Sequence, residues 1–243
     1  MEFDRQPFIR YVKQLNENVI KNVAIERQRV LANQSPWYVY DSTLAAYEES
    51  FRYILDMPFE ERLRKRQAEK GKVFALDVMG TAKFSSIFPI DGEMAMTHID
   101  FRKETEKASD KKQHREVADG SILAMKPWRD VKNFITKHDT TQYPGYDLIT
   151  CRPIAAWGEL FDVQRPDLAY QYDVVRILMQ RSASLLSPHG GTLFMELPYF
   201  ADYYPLRKMI KATPGMDSYN NQHPDNYIRI VRSGSTPVRI AKV

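Results

Sequence analysis

Asp77, Asp100 and Asp119 stand 23 and 19 residues apart, and each lies at the end of a short run with the look of a strand. A carboxylate so placed accepts hydrogen bonds from ligand hydroxyls or amines. In a doubly wound sheet, ligands bind outside the carboxyl ends of the strands, where the strand order reverses. A series of strand-end acids can therefore outline a binding crevice. The first acid leads into Val78, Met79, Gly80, Thr81 and Ala82, where Gly80 and Ala82 let backbone amides come close to a ligand. The third leads into Gly120 and Ser121, and a later apolar run, Tyr146 to Thr150, leads into Cys151, Arg152 and Pro153. Each acid also has an ordinary structural use: Asp77 as a turn former, Asp100 as a helix N-cap and Asp119-Gly120 as a simple turn. Their joint order and spacing favour the binding reading.

Other chemistries lack their residues. The chain has no Gly-x-Ser-x-Gly elbow, no Gly-x-x-x-x-Gly-Lys-Ser/Thr, no His-Glu-x-x-His and no Gly-x-Gly-x-x-Gly. The five histidines, His98, His114, His138, His189 and His223, show no ligand-like spacing, and one cysteine, Cys151, is too few thiols for a structural zinc site or an internal disulfide. No metal is expected. Cys151 itself reads as a small apolar filler at a strand end. The acidic pairs Glu159/Asp162 and Asp217/Asp225 read as solvated loop residues.

Several elements must position the acids. Val73 to Val78 is a short apolar run with an acid near its end, the pattern of a buried parallel strand. Further strands are expected at Met94 to Asp100, Arg115 to Ala118, Tyr146 to Thr150, Thr192 to Leu197, Asn226 to Arg232 and Pro237 to Val243. Helical stretches between most of them, Pro166 to Leu186 above all, imply a mainly parallel sheet covered on both faces. Only Ser233 to Thr236 separates the last two strands, which predicts an antiparallel hairpin. Leu123 to Pro144 reads as a helix plus a loop. Ahead of the sheet, periodic apolar residues predict helices from Phe8 to Leu31, from Asp41 or Ser42 through Leu55, and from Pro58 to Lys70 with Gly71 as the stop.

In this order the motifs resemble those of the class I S-adenosylmethionine-dependent methyltransferases. In that family an acid on the first strand leads into a small-residue loop, a second acid serves the ribose hydroxyls, a third lies near the adenine, and the fourth strand lines the methyl donor. A Leu-x-Pro-x-Gly-Gly-Thr-Leu turn, here Leu186 to Leu193, precedes the fifth strand, and an antiparallel hairpin closes the sheet. The resemblance covers residue 72 to the C-terminus, about 70% of the chain. It implies S-adenosylmethionine as cofactor and S-adenosylhomocysteine as product. It also implies a cofactor site formed by Asp77, Val78, Met79, Gly80, Thr81, Asp100, Phe101, Asp119, Gly120, Ser121, Cys151 and Arg152. Asp100 would accept both ribose hydroxyls, Asp119 the adenine amine, and Phe101 would stack on the ring. The first loop departs from the family's Asp-x-Gly-x-Gly-x-Gly: it is one residue shorter, and Met79 stands at a glycine position, with Lys83 placed to pair with the ligand's carboxylate. The Asn/Asp-Pro-Pro-aromatic motif that often follows the fourth strand is absent, and no catalytic residue is assigned.

The expected architecture is α/β: a Rossmann-like, doubly wound, mostly parallel sheet over residues 72–243 with a C-terminal antiparallel hairpin, preceded by a helical cap or extension over residues 1–71. The expected function is methyl transfer to an acceptor the sequence leaves open, with Tyr38, Tyr40 and Trp157 as candidate walls of its pocket. A catalytically inactive, methyltransferase-like binding or assembly subunit is the alternative. A nucleic-acid-modifying enzyme is a weaker one, resting on basic clusters at Arg62 to Lys72 and Lys107 to Arg115 that otherwise read as a solvated helix face and a charged loop. The formal charge of +4 permits a polyanionic partner without requiring one. No run reaches the roughly 18 apolar residues of a membrane span. An early acid at Glu2, no apolar leader and one cysteine fit a reducing, cytoplasmic setting. The oligomeric state is not legible.

Overall fold

The computed structural model describes residues 44–78, 92–98, 114–119, 125–151, 168–197, 204–218 and 227–241. Among these residues, seven strands lie in one sheet: β1 Val73–Val78, β2 Gly92–His98, β3 His114–Asp119, β4 Leu148–Cys151, β5 His189–Glu196, β6 Met216–Ser218 and β7 Tyr227–Ser233. Their order is β3-β2-β1-β4-β5-β7-β6. β1 pairs in parallel with β2 and β4, β2 with β3, and β4 with β5. β7 runs antiparallel, against β5 on one side and β6 on the other. This is the expected Rossmann-like α/β arrangement. The order reverses between β1 and β4, which places the switch point beside Asp77.

Among the described residues, five helices accompany the sheet: α1 Leu44–Phe51, α2 Phe59–Lys70, α3 Met125–His138, α4 Leu168–Ser184 and α5 Tyr204–Ala212. All six residues of β1 are buried, so both its faces are covered, and this explains why its run is apolar apart from Asp77. The pleat sends Phe74, Leu76 and Val78 into one cluster with Trp128 and Val131 of α3, Val175 and Leu178 of α4, and Leu206 and Met209 of α5. Val73 and Ala75 join Leu148 and Phe194 in a second cluster, covered by Tyr47 and Phe51 of α1 and by Phe59 and Leu63 of α2.

The helix expected through Leu55 ends at Phe51, because the N–H groups of Ile54 and Leu55 both turn back to the Phe51 carbonyl and Pro58 excludes helical backbone just before it. α2 then starts after Pro58, as expected. Its first N–H, on Phe59, donates 2.7 Å to Glu48 of α1. Gly71 ends it with φ +83° and its N–H on the Gln67 carbonyl, a left-handed turn that favours glycine. Within Leu123 to Pro144, α3 is the helix and carries Pro127 in its first turn, where a missing N–H costs nothing.

Two expectations at the C-terminus are corrected. No strand forms over residues 237–241, so the expected hairpin between Asn226–Arg232 and Pro237–Val243 does not exist in the described residues. Its place is taken by β6, and Asp217 thus lies in a strand paired with Arg229, not in a solvated loop. The segment after β7 instead lies along α4, where the Gln180 amide donates to the Val238 carbonyl at 3.0 Å and accepts from the Ile240 N–H at 2.8 Å. One side chain satisfies the backbone groups that a neighbouring strand would otherwise serve.

Candidate functional site

The carboxyl ends of β1, β4 and β5 lie side by side, with Asp77 opposite Thr150, and Thr150 opposite Phe194. Strand alternation turns Asp77 toward the face covered by α1 and α2, the face of Val73 and Ala75. The carboxyl group is fully buried, with 0% exposure. Its Oδ1 accepts a hydrogen bond from the Thr150 hydroxyl at 2.8 Å, and its Oδ2 accepts one from the Tyr47 hydroxyl at 2.9 Å. Two elements far apart in sequence thus hold the two oxygens separately, and the carboxylate plane is fixed at the switch point.

Val78 and Cys151 are paired across β1 and β4 and are buried on the opposite face. Burial, followed by the nearby Asp77 and Glu196 carboxylates, pushes the Cys151 thiol well above its ordinary pKa. A thiol kept protonated and enclosed is not a nucleophile. Asp119 is the last residue of β3 and pairs with His98, the last of β2, so the backbone brings it to the same edge as Asp77. Of the other expected site residues, Met79, Gly80, Thr81, Asp100, Phe101, Gly120, Ser121 and Arg152 lie outside the described residues, as do Tyr38, Tyr40 and Trp157.

Two residues at this edge were not read as site residues from the sequence. Tyr47 counted only as part of an apolar helix face, yet a buried tyrosine hydroxyl needs a partner, and that is the available signal. Glu196 ends β5 just as Asp77 nearly ends β1; it is half-buried, and the rule that singled out Asp77 would have found it.

A second charged cluster occupies the opposite edge. Asp147, just ahead of β4, accepts from the Phe74 N–H at 3.0 Å and pairs with Arg66 at 3.3 Å and Lys70 at 2.9 Å. Lys70 also reaches Asp139 at 3.2 Å. The Asp139 carboxyl sits below its usual range: burial opposes ionisation, but hydrogen bonds from Thr141 and Gly145 and the charge of Lys70 outweigh it. Arg62, Arg66 and Lys70 recur every four residues and so share one side of α2. Both arginines are 8% exposed and point at the sheet, with Arg62 bonding Thr192 at 3.1 Å and pairing with Asp56. The basic run is therefore only partly the expected solvated helix face. Its inner cations are engaged with acids at the sheet. Beside these pairs opens a cavity of about 490 Å³, lined by Arg66, Glu69, Lys70, Thr141, Ser187 and His189. It lies at the amino ends of β4 and β5, away from the edge where doubly wound sheets bind ligands. The carboxyl edge is the candidate site.

Among the described residues no helix is long and apolar enough to cross a membrane. No family model matches the chain, and no curated protein matches it. Solved structures similar to it include a candidate O-methyltransferase from Klebsiella pneumoniae, 14% identical, covering 87% of this chain and 97% of that one, with a TM-score of 0.36. An O-methyltransferase from Bacillus cereus in complex with S-adenosylhomocysteine is 14% identical over 80% of this chain and 92% of its own, with a TM-score of 0.38. An amino pentose methyltransferase from Micromonospora echinaspora, bound to S-adenosylmethionine, is 16% identical over 72% of this chain and 64% of its own, with a TM-score of 0.31.

Proposed function

We propose that this chain is an S-adenosylmethionine-dependent methyltransferase acting on an acceptor not yet identified. The observation that carries the reading is the buried Asp77 carboxylate, clamped at the carboxyl end of β1 where a sheet ordered β3-β2-β1-β4-β5 reverses direction. The antiparallel β7 beyond β5 agrees with the sheet closure that the methyltransferase resemblance implies. The bound cofactor would supply an electrophilic methyl group, and the protein's share would be binding and orientation. In this reading residues 72–243 hold the cofactor and residues 1–71 serve the acceptor side. Asp77, Val78, Met79, Gly80 and Thr81 take the amino-acid portion, with Asp100 on the ribose, and Phe101, Asp119, Gly120 and Ser121 around the adenine. Cys151 and Arg152 line the end of β4, and Tyr38, Tyr40 and Trp157 are the acceptor-pocket candidates. The partly internal use of the Arg62–Lys72 cluster weakens the nucleic-acid alternative.

Calorimetric titration with S-adenosylhomocysteine tests the reading. Micromolar binding is expected, and Asp100→Ala should weaken it by roughly 10- to 100-fold, the range for losing charge-assisted hydrogen bonds. A folded sample with no detectable binding would overturn it in favour of a non-catalytic binding or assembly subunit.

A further inference from the structure

We infer that Tyr47 is a positioning residue for the cofactor site, so that helix α1, ahead of the sheet, takes part in cofactor binding through Asp77. The inference rests on the methyltransferase reading above. Tyr47 is 3% exposed, and its ring belongs to the cluster formed with Phe51, Phe59, Val73 and Phe194. A phenylalanine would fill that apolar position equally well, and a buried hydroxyl is costly unless it is hydrogen-bonded. Here the hydroxyl meets Asp77 Oδ2 at 2.9 Å across 30 residues of chain.

The packing makes the hydroxyl a fixed donor rather than a loose one. Phe51, one helical turn after Tyr47, has its ring 5.7 Å from that of Phe194 on β5 and 5.8 Å from that of Tyr227 on β7. The start of α2 is tied back to α1 through Glu48. α1 is therefore held against the sheet by rings on one turn while it delivers the Tyr47 hydroxyl from the previous one. With Thr150 on the other oxygen, the carboxylate can turn only by giving up one of these two bonds. Strand-end carboxylates orient a ligand only as well as they are themselves oriented, and supporting hydrogen bonds supply that precision.

A purely structural hydroxyl would alter stability alone. A positioning hydroxyl also changes how cofactor affinity depends on pH, because a donor to a carboxylate favours its charged form. Among the described residues, the titratable groups near Asp77 include Tyr47 on α1, Cys151 on β4 and Glu196 on β5; on β2 its register partner is Met96, with His98 two residues further along the same strand. The charged Arg62 and Arg66 of α2 are engaged with Thr192, Asp56 and Asp147.

The test is titration of the full chain with S-adenosylhomocysteine from pH 5 to 8, for wild type, Tyr47→Phe, Asp77→Asn and the double variant. Tyr47→Phe should bind roughly 3- to 10-fold more weakly, the worth of one hydrogen bond. The acidic limb of its affinity profile should move to higher pH. Both effects should vanish on the Asp77→Asn background. Unchanged affinity and profile in Tyr47→Phe, or an equal loss with and without Asp77, would overturn the inference and leave the methyltransferase reading standing. Failure of Tyr47→Phe to fold would assign the hydroxyl to stability and overturn it too. Absence of binding by folded wild type would overturn both.

Discussion

Asp77 and Cys151 lie on the neighbouring strands β1 and β4, one register position apart, and the pleat gives them opposite surroundings. Asp77 faces two hydroxyl donors; Cys151 faces the apolar cluster under α3, α4 and α5, and both nearby carboxylates disfavour its thiolate. The folded pKa lies above the ordinary value, so at pH 8 the native thiol stays neutral as well as enclosed, whereas the unfolded chain exposes an ordinary thiol that is partly ionised. With a single cysteine in the chain, alkylation by iodoacetamide reads this position alone. Native protein at pH 8 should react more than roughly 100-fold slower than protein in denaturant, because reaction must wait for opening of the core. Comparable rates in the two states would show that the thiol is accessible. The apolar role of Cys151 was legible from its place at the end of an apolar run. Which face it took was not, because a one-residue change of phase exchanges the two faces of a strand and only the register fixes it.

At the level of elements, β1, β4 and β5 were legible because buried parallel strands carry largely apolar runs between helices. β6 was not, since Met216–Ser218 is three residues long and has too few positions to show a period. The extended segment after β7 misled for the opposite reason: its composition suits a strand, but its backbone partner is a side chain on α4. The Gln180 amide bridges Val238 and Ile240, and the Thr213 hydroxyl accepts from the Ala241 N–H at 3.0 Å. Gln180→Ala should therefore loosen the C-terminal segment without disturbing the sheet. The expected loss is about 1–3 kcal/mol by urea unfolding, the cost of leaving part-buried backbone groups unsatisfied. Hydrogen exchange at Ile240 should accelerate, while exchange in β5 and β7 stays slow. An unchanged Ile240 rate would mean that the segment is held by its apolar contacts alone.

The whole molecule depends on residues ahead of the sheet more than the sequence suggested. The periodic pattern of Pro58–Lys70 revealed a helix, but charges facing inward are invisible to a reading that assigns charged residues to solvent. The inward stripe of Arg62, Arg66 and Lys70 became intelligible only once Asp147 and Asp139 were placed beneath it. A functional division near residue 71 is compatible with this, but a folding boundary there is not expected. A fragment of residues 72–243 would bare Val73, Ala75, Leu148 and Phe194 on one face of the sheet and leave Asp147 without either cation. Stranding one partner of a buried pair costs about 3–5 kcal/mol. Adding the lost cover over Phe194, the total approaches the roughly 5–15 kcal/mol that stabilises a typical domain. The fragment should bind a hydrophobic dye such as anilinonaphthalenesulfonate and lose its cooperative urea transition, while the full chain keeps one. A cooperative transition in the fragment with a full-sized denaturant slope would show instead that the sheet with α3, α4 and α5 is a self-sufficient unit, with α1 and α2 docked on it as an accessory.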